Sequence, residues 1–213
     1  MNKKTIIYVV RHGQSSFNLG KTKDLDSALT DNGKMQAHKV AIHLKNINFD
    51  LILSSKLKRA KQTAEIVNKI LSTKLITEKK LEERSPYLYA SKINMEDTTL
   101  EEKMLNKMKD LSSKDKMNFK FSKDMESPNE SVKRVFNILE KYIKNNSSKN
   151  ILLVSHGNLM QSILTYLEWC KYDELPSSEI SNTDYFVIEA QNKKFKIIKT
   201  HGIEKQKGKF RIW

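Results

Sequence analysis

Cysteine is almost absent from this chain, which has a single one, Cys170, among its 213 residues. One cysteine excludes an internal disulfide and a metal site built from several cysteines. Long apolar runs are missing too, and no stretch reaches the length of a membrane span. The amino terminus lacks the apolar region and the small-residue cleavage site of a signal peptide. We therefore expect a cytoplasmic protein with no membrane partner, folded as a single domain over residues 1–213.

Arginine is scarce as well, and most of the basic residues are lysines. Lysine and arginine together number 39 against 25 acidic residues, for a net charge of +14. A charge of this size attracts polyanions, but the lysines are spread over every segment and do not form one basic arm. This distribution is typical of solvated helix faces and argues against nucleic acid as a partner. The few arginines are Arg11, Arg59, Arg84, Arg134 and Arg211.

Short apolar runs rich in β-branched residues alternate with amphipathic stretches along most of the chain. Strands are predicted at 6–10, 49–55, 75–81 and 150–154. Helices are predicted at 30–47, 57–67, 130–144 and 159–169. This alternation indicates an α/β fold with a largely parallel sheet, in which the very apolar run 150–154 is central and the lysine-bearing run 75–81 is near an edge. Two more strands, at 185–189 and 195–198, are predicted to form a hairpin.

The segment 85–129 departs from this rhythm. It contains a helical piece rich in methionine and lysine, residues 100–111, followed by a polar linker that ends at Pro128. We interpret the segment as a small helical insertion over the carboxyl edge of the sheet that acts as a substrate cap. Met104 and Met108 are expected to be packing residues, because methionine fills irregular gaps in a core.

Charged and polar side chains follow the predicted strands where each strand ends. In an open α/β sheet, ligands bind beyond these carboxyl ends. Arginine binds phosphoryl oxygens in a planar, bidentate manner, neutral imidazole can attack phosphorus, and a carboxylic acid can protonate a leaving group. Each residue alone is equally compatible with a surface position, but together they supply the parts of phosphoryl transfer without a metal. The residues are Arg11, His12, Arg59, Glu83 and His156.

The motifs around these residues resemble those of the histidine phosphatase superfamily, the phosphoglycerate-mutase-like enzymes. They occur in the family's order along almost the whole chain. The matching pieces are Arg11-His12-Gly13, Asn18, residues 29–33 with Gln36-Ala37, Ser54-Ser55, residues 57–60 and 62–64, Leu81-Glu82-Glu83, Glu130-Ser131, and residues 155–158.

The resemblance implies a fold and a set of roles. The fold is a three-layer α/β/α sandwich around a mixed sheet. His12 is the expected nucleophile, with one ring nitrogen donating to a backbone carbonyl and the other left free. Glu83 is the expected proton donor and Glu82 the competing assignment. No metal ion or organic cofactor is implied. The residues expected to hold the phosphoryl group are Arg11, Asn18, Arg59, His156 and Gly157.

Two departures from the family pattern bear on function. Gln14-Ser15 stands where the mutases carry Glu-Ser, and residues 84–91 replace a glycine-bearing segment. We therefore expect a metal-independent phosphomonoesterase that acts on a small phosphorylated metabolite through a phosphohistidine. The alternatives are a cofactor-dependent phosphoglycerate mutase and a weakly active member that binds a protein or polyanion. A monomer and a homodimer are both compatible with the sequence.

Overall fold

The described residues form a six-stranded central sheet. The computed structural model describes residues 4–84, 103–104, 106–143 and 149–206. Across the sheet the strands lie in the order β3-β2-β4-β1-β5-β6. In chain order they are β1 (Thr5–Arg11), β2 (Leu51–Ser55), β3 (Leu75–Glu78), β4 (Asn150–Ser155), β5 (Tyr185–Gln191) and β6 (Lys194–His201).

Strand direction decides where a site can form on this sheet. The pairs β1–β4, β4–β2 and β2–β3 are parallel, whereas β5 runs antiparallel to β1 and β6 antiparallel to β5. The carboxyl ends of four strands therefore meet at one edge. The mostly parallel mixed sheet, the hairpin, the central position of β4 and the edge position of β3 are confirmed predictions.

Helices cover both faces of the sheet. On β4, Ile151 and Leu153 join the core beneath α4 and α5, while Leu152 and Val154 join the core beneath α1 and α2. This two-residue alternation is what a strand buried on both faces requires, and it produces the predicted three-layer α/β/α sandwich. The helices described along their full length are α1 (Asp31–Leu44), α2 (Lys58–Leu71), α3 (Ser113–Asn118), α4 (Pro128–Ile143) and α5 (Gly157–Tyr166).

Two helices that face the site begin in different ways. Thr30 caps α1, and its hydroxyl accepts a hydrogen bond from the Gly33 N–H at 3.0 Å. The cap of α2, Leu57, has no side chain that can accept. Instead, the Asp26 carboxylate reaches across from a neighbouring loop and accepts from the Lys58 N–H at 2.6 Å. That loop is thereby tied to the start of α2.

The described part of the insertion has its own small core. Met104, Met108, Met117 and Met125 are buried together with Tyr172. The prediction that Met104 and Met108 are packing residues is confirmed. The prediction of a plain linker before Pro128 is wrong over α3, because the Ser112 hydroxyl caps this helix and Met117 buries its apolar side. Much of the predicted cap, residues 85–102, lies outside the described residues.

Among the residues that the structure describes, no helix has both the length and the apolar composition needed to cross a membrane.

Candidate active site

The register of β1 and β4 brings two histidines together. Arg11 and Ser155 are paired at the ends of these parallel strands, and the His12 N–H donates to the Ser155 carbonyl at 3.0 Å. His12 and His156 are the next residues on their strands, and their ring centroids lie 5.1 Å apart. Both are buried, with 2% and 0% of their surface exposed. Two imidazoles far apart in sequence therefore share one small space.

His12 is held with its two ring nitrogens in different roles. Nδ1 lies 2.7 Å from the Gly13 carbonyl, which can only accept, so Nδ1 carries the proton. Nε2 keeps its lone pair and accepts a hydrogen bond from Arg59 Nε at 3.0 Å. The predicted tether to a backbone carbonyl is present, while the second nitrogen is engaged by a guanidinium. Burial, followed by the nearby Arg59 and Arg11, lowers the pKa of His12 well below its ordinary value.

Two guanidinium groups supply positive charge beside this ring. Arg59 is the second residue of α2 and is buried, and its Nη1 donates to the Leu25 carbonyl. Arg11 ends β1, and its Nη1 donates to the Ile180 carbonyl. Arg11 Nε is buried and has no hydrogen-bond partner within the described chain. Arg11 is thus anchored through Nη1, and Arg59 through Nη1 and Nε, which leaves other N–H groups of both side chains able to bind an anion.

Glu83 lies at the amino terminus of α5. Its Oε1 accepts from the Arg84 and Leu159 N–H groups at 2.8 and 2.9 Å, and its Oε2 accepts from the Asn158 N–H at 3.1 Å. Burial raises the pKa of Glu83, while Arg59 and these N–H groups oppose the rise. For Glu82, no contact of the carboxylate with the other predicted site residues is found in the described ranges.

His156 is the cap residue of α5, and both of its ring nitrogens are buried without a hydrogen-bond partner in the part of the chain that is described. Burial is the first cause that lowers its pKa, and Arg59, His12 and Arg11 lower it further. An unpaired buried imidazole costs free energy. A ligand that accepts or donates a hydrogen bond at His156 would offset that cost.

Asn18 and Gly157 occupy different positions relative to this group. Gly157 lies against Arg11, because a Cβ built on it would be 3.5 Å from the guanidinium carbon. Asn18 is exposed, and its Oδ1 accepts from the N–H and hydroxyl of Ser15 at 3.0 and 3.1 Å. The described contacts of Asn18 therefore lie within its own turn, and they do not join it to the two histidines.

Two residues that hold the site in place were given no role in the sequence analysis. Thr63 Oγ1 accepts from the Gly13 N–H at 3.0 Å, and Asn182 Nδ2 donates to the His12 carbonyl at 2.9 Å. Thr63 stands one helical turn after Arg59, which is a usable signal. Nothing in the sequence around Asn182 connects it with His12, because the two meet only through the pairing of β1 with β5.

The charged groups around the two histidines determine which ligand suits the site. Within residues 4–84, 103–104, 106–143 and 149–206, no group of three or more His, Cys, Asp and Glu side chains could hold a metal ion. Two guanidinium groups and one carboxylate surround two neutral imidazoles. This arrangement suits a phosphoryl dianion, whose oxygens take several N–H donors at once.

Comparison with known proteins identifies the family. The model of the histidine phosphatase superfamily (branch 1) matches residues 7–201. The Bacillus subtilis protein described as uncharacterized phosphatase PhoE is 29% identical over 198 residues, which cover 91% of this chain and 92% of the relative. The putative phosphoserine phosphatase 2 of Hydrogenobacter thermophilus is 30% identical over 202 residues, or 90% and 93% of the two chains.

Solved structures share the fold at lower identity. Bacillus stearothermophilus YhfR superimposes with a TM-score of 0.73 and 18% identity, covering 91% of this chain and 95% of that one. A phosphoglycerate mutase from Bacillus anthracis superimposes with a TM-score of 0.69 and 22% identity, covering 94% of each chain. With the family match over most of its length, this chain belongs to the histidine phosphatase superfamily and is an enzyme of its phosphatase and phosphoglycerate-mutase-like kind.

Proposed function

We propose that the protein is a metal-independent phosphomonoesterase that works through a phosphohistidine on His12. The observation that carries the proposal is the state of the His12 ring. It is buried, its Nδ1 is tethered to the Gly13 carbonyl, and the lone pair on Nε2 faces the Arg59 guanidinium. A neutral imidazole held beside fixed cations is what attack on a phosphoryl group needs.

The substrate's phosphoryl group is proposed to sit between the two histidines. Arg11, Arg59 and His156 donate to its oxygens, and the absence of a side chain at Gly157 allows close approach next to Arg11. These donors stabilise the charge that spreads over the oxygens in the transition state. Asn18 is proposed to assist from its turn above the site.

The first half-reaction transfers the phosphoryl group to His12. Arg59 Nε transfers its hydrogen bond from His12 Nε2 to a phosphoryl oxygen, which frees the Nε2 lone pair. Nε2 then attacks phosphorus, a P–N bond forms, and the P–O bond to the leaving alkoxide breaks. Glu83, in its carboxylic acid form, gives its proton to that alkoxide, so an alcohol departs. Burial favours the acid form, because it raises the pKa of Glu83.

The second half-reaction releases phosphate. Water gives a proton to the Glu83 carboxylate as its oxygen attacks phosphorus, and the P–N bond breaks. Inorganic phosphate, neutral His12 and protonated Glu83 result, so the cycle closes. Glu82 remains the competing proton donor, and Glu82→Gln distinguishes the two by keeping full activity if Glu83 is the acid.

The experiment that tests the proposal is hydrolysis of p-nitrophenyl phosphate in the presence of a chelator. Wild-type protein should turn over, and His12→Ala should lose about 10³-fold or more in kcat/KM, since covalent catalysis is removed. His38→Ala is the matched control, because His38 is an exposed histidine on α1. Full activity in His12→Ala would contradict the proposal.

A phosphoglycerate mutase is the second candidate. A probable phosphoglycerate mutase, GpmB of Escherichia fergusonii, is 28% identical over 186 residues, covering 84% of each chain. A coupled isomerisation assay primed with bisphosphoglycerate separates the two reactions. The phosphatase proposal expects hydrolysis and no isomerisation. A weakly active binding member fits less well, because a protein without catalysis has no need of a buried, unpaired His156.

The proposal extends to substrate, organisation and compartment. A small phosphorylated metabolite is the proposed substrate. Phosphoserine is the first compound to assay, because it is in the name of the Hydrogenobacter relative.

We propose one domain over residues 1–213 with residues 85–129 as its cap, supported by the packing of Met104 and Met108 against Tyr172. A single buried Cys170 fits the cytoplasm as its compartment.

A further inference from the structure

Arg134 on α4 contacts a carboxylate and two backbone carbonyls at once. Its Nε and Nη2 donate to the two oxygens of Glu126, both at 2.7 Å. Its Nη1 donates to the carbonyls of Lys80 and Glu82 at 2.6 and 3.2 Å. All three nitrogens of the guanidinium therefore donate hydrogen bonds, and one of the acceptors is the carbonyl of the peptide that directly precedes Glu83.

The backbone of Glu126 also contacts the residue after Glu83. Arg84 is buried, and its Nε donates to the backbone carbonyl of Glu126 at 3.0 Å. The main chain is thus held at Glu82 by the Arg134 guanidinium, and the Arg84 side chain is held by the main chain of Glu126. Glu83 lies between these two points.

The main chain of this segment makes no sheet hydrogen bonds, although the Glu83 side chain itself is held by the start of α5. The segment follows the edge strand β3 and a single turn of 3-10 helix, Lys79–Leu81, and its residues belong to no strand that could supply ladder hydrogen bonds. A backbone in that position needs partners from another element. Here Arg134 on α4 and Glu126, two residues before the start of that helix, supply them.

We propose that the Glu126–Arg134 pair is a positioning device for Glu83, holding the proton donor in line with the leaving oxygen. The inference rests on the proposed role of Glu83 as the general acid. Neither Glu126 nor Arg134 touches the substrate. They act through the main chain, because a carboxyl group must lie within hydrogen-bond reach of the oxygen that it protonates.

Lysine cannot replace Arg134 in this arrangement. Its ammonium group is a compact charge on a flexible stem, whereas the planar guanidinium spans a bidentate carboxylate and two carbonyls. The pair is also only partly accessible, with 21% of the Arg134 side chain and 31% of the Glu126 side chain exposed. Solvent therefore screens it less than a surface ion pair.

The test measures kcat/KM for phosphomonoesters whose leaving groups differ in basicity. This ratio includes no step after phosphoenzyme formation, so it isolates the step in which Glu83 gives its proton. Arg134→Lys and Glu126→Gln should lower kcat/KM for an alkyl phosphate by about 10- to 100-fold, since an error of about 1 Å in position can cost that much. For p-nitrophenyl phosphate the ratio should stay close to wild type, because p-nitrophenolate leaves without a proton.

Glu65→Gln is the matched control, since Glu65 forms a comparable but exposed pair with Lys61 on α2. It should change neither substrate's kcat/KM. Equal losses for alkyl and aryl substrates in Arg134→Lys and Glu126→Gln, or no loss in either, would overturn the positioning role. Thermal unfolding of each variant identifies one that fails to fold, in which case the other carries the test.

The Glu83→Gln variant distinguishes a failure of the positioning role from a failure of the proposed role of Glu83 as the general acid. Suppose that the loss of kcat/KM in Glu83→Gln grows steeply with the basicity of the leaving group, while Arg134→Lys and Glu126→Gln show no such loss. Then only the positioning role fails. If Glu83→Gln shows no such dependence, the assignment of Glu83 as the acid fails, and the role of the pair fails with it.

Discussion

At the scale of single residues, burial moves two pKa values in opposite directions. It lowers that of His12 and raises that of Glu83, because removal from water disfavours the charged form of each group. One environment therefore favours the unprotonated imidazole and the protonated carboxyl group. These are the two states that the proposed mechanism uses for attack and for proton donation.

The pH profile of kcat/KM for an alkyl phosphate should show both shifts. His12 must be neutral, so activity should persist below the ordinary histidine pKa of about 6.5. Glu83 must hold its proton, so activity should fall as pH rises through its pKa, which lies above the ordinary glutamate value. Steady-state rates from acid to alkaline pH measure both limbs.

The control for this profile is the substrate. With p-nitrophenyl phosphate the alkaline limb should be much weaker, because that leaving group needs no proton. The same alkaline limb in both substrates, or its persistence in Glu83→Gln, would show that a different group titrates.

Among single residues, the sequence indicates the proposed reacting groups better than it indicates the residues that hold them in place. Arg11, His12, Arg59 and Glu83 could be proposed because each follows a predicted strand or opens a predicted helix. Asn182 could not, since its bond to the His12 carbonyl depends on how β5 pairs with β1.

At the scale of elements, the loop after β1 packs directly on the first turn of α1. A Cβ on Gly13 would lie 2.4 Å from the Gly33 carbonyl oxygen, and one on Gly33 would lie 2.0 Å from the Gln14 carbonyl oxygen. Both distances are shorter than any real contact, so only glycine fits at either position. The loop that directly follows His12 is therefore packed against the start of α1.

Gly33→Ala should therefore destabilise the protein and slow the enzyme. In an ordinary helix, alanine would be favoured over glycine by about 1 kcal/mol. Here the clash should outweigh that gain, with a net loss of about 1–3 kcal/mol in the free energy of unfolding. Denaturant unfolding and kcat/KM for one substrate are the two measurements.

Gly20→Ala is the comparison for this change. Gly20 has a positive φ of 65° and no atom within 4 Å of an added Cβ, so it should lose about 1 kcal/mol through backbone strain alone and keep its activity. A Gly33→Ala protein as stable and active as wild type would contradict the packing described for the loop.

The elements themselves were predictable where packing repeats a simple period. Short apolar runs rich in β-branched residues predict the parallel strands, and the helix predicted at 30–47 begins within one residue of the start of α1. Helix α3 escaped prediction because it is short and depends on its Ser112 cap and on one buried face. The start of α2 depends on Asp26 from another loop, a contact that no local pattern indicates.

At the scale of the whole molecule, the two kinds of basic residue have separate places. The net charge of +14 comes mostly from lysines. Of the five arginines, the four that lie in the described residues are all at or beside the site: Arg11, Arg59, Arg84 and Arg134. The scarcity of arginine was visible in the sequence, but only the strand order shows that these four converge.

The central claim is that His12, beside Arg11 and Arg59, carries the phosphoryl group. Trapping the phosphoenzyme tests this claim most directly. Labelled phosphoester is mixed with wild-type protein, quenched in alkali, and the modified residue is located by mass spectrometry. We expect an acid-labile, alkali-stable label on His12, present in Glu83→Gln and absent from His12→Ala. A label on another residue, or steady turnover with no label at any quench time, would contradict the account.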